Sequence, residues 1–164
     1  MKTVLKSIVW VCALSLIAVS WGAKDVAASE NEVVTIDLTE MEELIESDHC
    51  PLIITFVTAR CRACREEMPV YQEMYEKYRD QGLEIFMVSI DFGYPRHIQN
   101  LVDRMDLTYP VFWGGEDVMH AYDISLVPYK KVVLGGEVVE TATGGWSAEE
   151  IEQKVQEYLN ACPQ

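Results

Sequence analysis

Within residues 56–69, FVTARCRACREEMP, Cys61 and Cys64 stand three positions apart, with Arg60, Arg62 and Arg65 around them and Pro69 beyond. Cysteines at this spacing can clip a metal, close a structural staple or cycle between dithiol and disulfide. Structural zinc needs two further ligands, normally a second cysteine pair or a close histidine pair. His49, His97 and His120 are scattered and form no such pair, so no metal is expected. A copper-binding redox chaperone needs a third soft or imidazole ligand near the pair, for which Met68 and the histidines are the candidates. A closed staple leaves the three arginines without a purpose. A redox pair uses them, because a cation beside a thiol favours the thiolate, the form that attacks disulfides.

The elements around the pair decide how it is presented. Leu52 to Val57 is a continuous apolar run rich in β-branched residues, the pattern of a strand buried on both faces. A helical segment follows from the cysteines to about Arg79, closed by Gly82. Cys61 therefore falls at a helix N-terminus, where free N–H groups and the helix dipole stabilise negative charge. Both effects lower its pKa below the free value of about 8.5. Cys64 sits one turn further in and less exposed. Cys61 is the expected attacking sulfur and Cys64 the resolving one.

The remaining elements alternate. Val33 to Ile36 reads as a short strand, and Thr39 to Glu42 as a capping box opening a helix. Leu83 to Ile90 reads as a second buried strand, Ile98 to Met105 as a helix after Pro95, and Tyr109 to Phe112 as extended chain. Glu116 to Tyr122 reads as a short helix. Gly135-Gly136-Glu137 joins two strands of a hairpin, and Ser147 to Glu150 is a capping box for a last helix. Strands alternating with helices, followed by a hairpin, predict an α/β domain with a mixed central sheet flanked by helices. Trp113 reads as the cap of a core edge.

Composition bounds the function. The 164 residues are 49% hydrophobic and 24% charged with a net charge of −14, which suits one globular domain and leaves no basic footprint for nucleic acid. Residues 1–28 read as a signal peptide or N-terminal anchor, with Lys2 and Lys6 ahead of an apolar run and Val26-Ala27-Ala28 at its end. Cys12 lies inside that run. The domain is then 29–164. Its 10 basic and 26 acidic residues give −16, and an even four of the five cysteines remain. Export to the periplasm or the outer face of the cytoplasmic membrane permits disulfide chemistry, with membrane contact only through an N-terminal anchor.

From Cys64 to Pro69 the chain resembles the C-R-x-E-x-P segment of the TlpA/ResA-like envelope thiol–disulfide oxidoreductases, which have the thioredoxin-like fold. The likeness covers residues 32 to 160. It implies that Pro69 kinks the active-site helix and that Glu67 handles protons, although a glutamate near a helix start is also favoured by charge alone. Tyr122 to Pro128 resembles the segment ending in the family's cis-proline, which implies that Val127 and Pro128 bind a substrate peptide beside the cysteines. The chain departs from the family in carrying Arg60 where tryptophan is usual and Tyr129 where threonine is usual. Thr55 stands where thioredoxin has a buried aspartate.

The resemblance implies an oxidoreductase without a prosthetic group. Its expected partners are cysteine-containing envelope proteins and a membrane redox donor or acceptor. A non-catalytic binding module with an inert pair is the rival from another class. Family likeness suggests reduction of partners, whereas a stabilised thiolate makes the couple more oxidising, so direction stays open. A thioredoxin-like topology also returns the last helix to the end of the sheet where Cys50 lies. Cys50 and Cys162 are then either a structural disulfide or free thiols at a frayed end.

Overall fold

A computed structural model describes residues 31–162, so the signal or anchor expected at 1–28, with Cys12, lies outside the described residues. Strands β1 (Val34–Thr35), β2 (Leu52–Val57), β3 (Glu84–Ser89), β4 (Val111–Trp113), β5 (Tyr129–Leu134) and β6 (Glu137–Thr143) form one sheet. Helices α1 (Leu38–Ile45), α2 (Arg62–Tyr78), α3 (Arg96–Met105), α4 (Gly115–Ala121) and α5 (Ala148–Ala161) cover it. The strand order is β1-β4-β3-β2-β5-β6. The first four strands pair in parallel, and β5 and β6 run antiparallel to their neighbours. The expected mixed sheet is present.

All six residues of β2 are buried, which a strand between two helical layers requires. Ile53 and Val57 point into one core with Met68, Tyr71, Ile98, Ile151 and Val155, from α2, α3 and α5. Leu52, Ile54 and Phe56 point into the other with Met41 and Val118, from α1 and α4. Alternation along one strand thus places the layer containing Cys64 on a single side.

Sequence and structure differ at the first helix. Its capping box is Asp37 with Glu40, not Thr39 with Glu42: Glu40 N–H donates to Asp37 Oδ1 and Asp37 N–H to Glu40 Oε2, each at 2.9 Å. Aspartate caps at least as well as threonine, and starting there adds residues to a helix of only eight. The last helix opens as expected, with Ser147 and Glu150 capping reciprocally. Gly135 and Gly136 both have positive φ, 56° and 83°, the conformation a two-residue hairpin turn requires and glycine supplies without strain.

A disulfide joins Cys50, just ahead of β2, to Cys162 at the end of α5, with Cα atoms 5.6 Å apart. It lies at the end of the sheet opposite the Cys61–Cys64 pair. No helix among the described residues is long and apolar enough to cross a membrane.

Candidate active site

Where β2 ends, the chain is held by the carboxylate of Asp91, which follows β3. Its Oδ2 accepts from the N–H of Ala59 and from Ser89 Oγ, both at 2.8 Å. The indole of Trp113 donates to the Asp91 carbonyl at 3.1 Å, which fixes the same corner. Cys61 N–H donates to the Thr58 carbonyl at 3.1 Å, closing a tight turn into α2. These contacts aim Cys61 from the C-terminal edge of the parallel strands.

Cys61 is itself the N-cap of α2, and its Sγ accepts the N–H of Cys64 at 3.1 Å. Sulfur here takes the place that a serine or aspartate oxygen usually occupies, so negative charge on it meets the free N–H groups and the helix dipole. Cys61 and Cys64 are joined as a disulfide with Cα atoms 5.3 Å apart. Cys61 is half-buried, whereas Cys64 is 1% exposed. A partner sulfur can reach only the first.

Arg60, Arg62 and Arg65 are all exposed, yet they are not equivalent. The Arg62 guanidinium pairs with Glu66 at 2.8 Å, an exposed pair one turn apart. Arg60 and Arg65 make no ion pair among the described residues. Pro69 lies inside α2 and supplies no N–H for the Arg65 carbonyl one turn back.

Val127–Pro128 is a cis peptide bond, as the resemblance implies, and the Val127 carbonyl oxygen lies 3.8 Å from Cys61 Sγ. In the disulfide that sulfur has no proton to donate, so this is a close approach and not a hydrogen bond. Pro128 is buried, Val127 half-buried, and the neighbouring Leu126 is exposed.

Glu67, one turn beyond Cys64, is buried and paired with Lys130 of β5, a residue that no sequence motif singles out. Lys130 Nζ lies 2.9 Å from Glu67 Oε1, with both side chains almost entirely buried. Nζ also donates to the Gly144 carbonyl at 2.6 Å and lies 4.7 Å from the centre of the Trp146 ring. The N–H of Trp146 donates to the same Oε1. Glu67 Oε2, Thr55 Oγ1 and Tyr71 Oη are buried without a hydrogen-bond partner. Burial pushes Lys130 below the ordinary lysine value, against the pull of the Glu67 and Glu150 carboxylates. Burial also holds Tyr71 and Tyr109 well above the ordinary tyrosine value, with the charge of Glu67 acting in the same direction. Alternation could have located Lys130: with Tyr129 and Lys131 on one face of β5, Lys130 and Val132 must share the other. Asp91 had a weaker signal, a lone carboxylate directly after a buried strand.

Thr55, the position of thioredoxin's buried aspartate, is paired in register with Lys130 on the adjacent strand. Among the described residues no three His, Cys, Asp or Glu side chains gather as a metal site.

Comparison with known proteins agrees with this geometry. The AhpC/TSA family model matches residues 19–138. The protein named thiol-disulfide oxidoreductase ResA of Geobacillus kaustophilus is 31% identical over 108 residues, 64% of this chain and 61% of that relative. The match thus spans less than two thirds of that relative's length. A protein of the same name from Halalkalibacterium halodurans is 29% identical over 143 residues, 83% of this chain and 78% of its own. Among solved structures, StoA from Bacillus subtilis matches with a TM-score of 0.58 at 21% identity, over 66% of this chain and 84% of that one, and shares the fold. A thioredoxin-like protein from Porphyromonas gingivalis matches with a TM-score of 0.59 at 29% identity, over 70% and 78%.

Proposed function

This chain belongs to the AhpC/TSA family, and from that premise we propose that it is an exported thiol–disulfide oxidoreductase acting through Cys61 and Cys64. The observation that carries the reading is the asymmetry of the pair. One sulfur is half-exposed at a helix N-terminus beside the Val127 carbonyl, and the other is buried one turn behind it. A structural disulfide has no need of that division.

In the reducing direction the Cys61 thiolate attacks one sulfur of a partner disulfide. A Cys61–partner bond forms, and the other partner sulfur leaves as a thiolate and takes a proton. Cys64 then loses its proton and attacks Cys61 Sγ. The Cys61–Cys64 bond forms, and the second partner sulfur leaves and is protonated in turn. Two electrons pass from the dithiol to the partner. The oxidising direction is the reverse, and the potential of the pair against its partners sets which one runs. The partners proposed are cysteine-containing envelope proteins, with a membrane redox donor or acceptor regenerating the pair. The resemblance and the apolar run ahead of the domain support this placement.

Reduction of insulin by the purified protein with a dithiol donor tests the activity. The wild type should accelerate it, and Cys61→Ser should abolish the acceleration. A wild type no faster than the donor alone would reduce the fold to a binding module.

A further inference from the structure

We propose that Lys130 is a positioning residue for the resolving step, holding Oε1 of Glu67 so that Oε2 is the acceptor for the Cys64 proton. The inference rests on the oxidoreductase reading and assigns a role to a side chain that the cysteine pair alone does not call for.

A fully buried lysine is costly unless it is paired and its protons are used. Lys130 is 0% exposed, reaches Glu67 at 2.9 Å and also binds the Gly144 carbonyl. Both fixed donors, Lys130 Nζ and the Trp146 N–H, converge on one carboxylate oxygen. The other oxygen is left buried with no partner. A carboxylate anchored on one side only is oriented and still able to accept on the other.

The neighbourhood places this acceptor under the cysteines. Glu67 follows Cys64 by three residues, so the two share a face of α2. A Cβ at Gly145 would lie 3.6 Å from Ala63, inside the cysteine motif, and 3.8 Å from Glu67 Oε1. Lys130 reaches the same place from β5, two residues after Pro128. The other titratable groups facing the pair are Tyr71 from α2, Tyr109 ahead of β4, and Glu150, Lys154 and Tyr158 from α5. Thr55 on β2 cannot take a proton from a thiol, and the buried carboxylate of Asp91 already accepts from Ala59 N–H and Ser89 Oγ, so among the described residues Glu67 Oε2 is the buried carboxylate oxygen without a partner.

In the step assigned, the Cys64 proton passes to Glu67 Oε2 and the Cys64 thiolate attacks Cys61 Sγ. The Cys61–Cys64 bond forms, the Cys61–partner bond breaks, and the partner thiolate leaves to be protonated by solvent. The dithiol is oxidised, the partner disulfide is reduced, and no further reactant is needed. Without the lysine, the carboxylate keeps only the Trp146 N–H on Oε1, and a positive charge that assists thiolate formation disappears.

The test separates the two sulfurs. The full chain carrying Cys12→Ser, with Cys61 and Cys64 reduced, is mixed with 5,5′-dithiobis(2-nitrobenzoate). Attack by Cys61 releases one coloured thiolate, and resolution by Cys64 releases the second. In Lys130→Met the second release should slow about tenfold at neutral pH relative to the first. Its rate–pH midpoint should rise by about one pH unit. Lys130→Arg should restore most of both. If Lys130→Met does not fold, Lys130→Gln removes the charge while keeping a buried donor and should fold, with the second release slowed several-fold and the midpoint raised in the same direction. An unchanged ratio of second to first release and an unchanged midpoint, in whichever of the two folds, overturns the role of Lys130. A wild type that gives no first release overturns the oxidoreductase reading instead, and this inference with it.

Discussion

The Val127 carbonyl oxygen stands 3.8 Å from Cys61 Sγ, on the near side of the cis bond to Pro128. On the proposed reading, a partner cysteine bonded to Cys61 lies along the Val127 backbone, whose neighbour Leu126 is 67% exposed. Cys64, 1% exposed, is out of reach of such a partner, in keeping with the resolving role proposed for it.

The unequal surroundings of the arginines give an ordered outcome. Arg62 is paired with Glu66, so its charge is largely offset. In a Cys64→Ser background, Arg60→Gln and Arg65→Gln should each raise the Cys61 thiolate pKa by a few tenths of a unit or more, and Arg62→Gln by less. Thiolate absorbance titrations read this directly. An Arg62 effect equal to or larger than the other two contradicts the ordering.

Thr55 carries a buried hydroxyl with no hydrogen-bond partner. An unsatisfied buried polar group costs about 1–3 kcal/mol, and valine has nearly the same shape and suits a strand. Thr55→Val should stabilise the oxidised protein by about 1 kcal/mol, seen as a higher urea midpoint with an unchanged slope. A loss of stability would mean that the hydroxyl is bonded in solution.

The Cys50–Cys162 bond closes a loop with a sequence separation of 112. Replacing both cysteines with serine should lower stability by about 2–4 kcal/mol, while single-turnover exchange at Cys61 stays near wild type. Urea titration measures the first and stopped-flow absorbance the second. Exchange lost in parallel with stability would give this bond a part in the redox cycle.

Buried Tyr71 and Tyr109 are held well above the ordinary tyrosine value of 10.0. The folded protein therefore keeps protons that the unfolded chain loses above about pH 10, and each contribution is lost as pH rises further. Stability should fall above pH 10 by up to about 1.4 kcal/mol per pH unit per tyrosine. Lys130 acts oppositely, since its depressed value makes stability rise as pH climbs toward 10.5. Urea midpoints of the oxidised protein should thus hold or rise slightly up to pH 10 and then drop. Tyr71→Phe should soften the drop, and a Tyr71→Phe curve parallel to wild type would deny the burial effect.

Much of this was legible in local sequence because local physics decides it. A β-branched run ending at Val57 and a cysteine at a helix start depend on neighbours only a few residues away. So do the glycines of the hairpin turn. Choosing Asp37 over Thr39 as a cap was not legible, because two overlapping boxes satisfy the same rule. The Glu67–Lys130 pair was harder still. It joins residues far apart in the chain, and only the antiparallel register of β2 with β5 brings Lys130 beneath the cysteine helix. The surface pairing of Arg62 with Glu66 is an i,i+4 contact and could have been anticipated.

The central claim is that Cys61 attacks and Cys64 resolves, and trapping the mixed disulfide tests it most directly. Cys64→Ser, reduced and mixed with a peptide containing one disulfide, should accumulate a covalent protein–peptide adduct, and peptide mapping should place the bond at Cys61. Cys61→Ser under the same conditions should form no adduct at Cys64. An adduct at Cys64 in the Cys61→Ser protein, or none at Cys61 in the Cys64→Ser protein, contradicts the account.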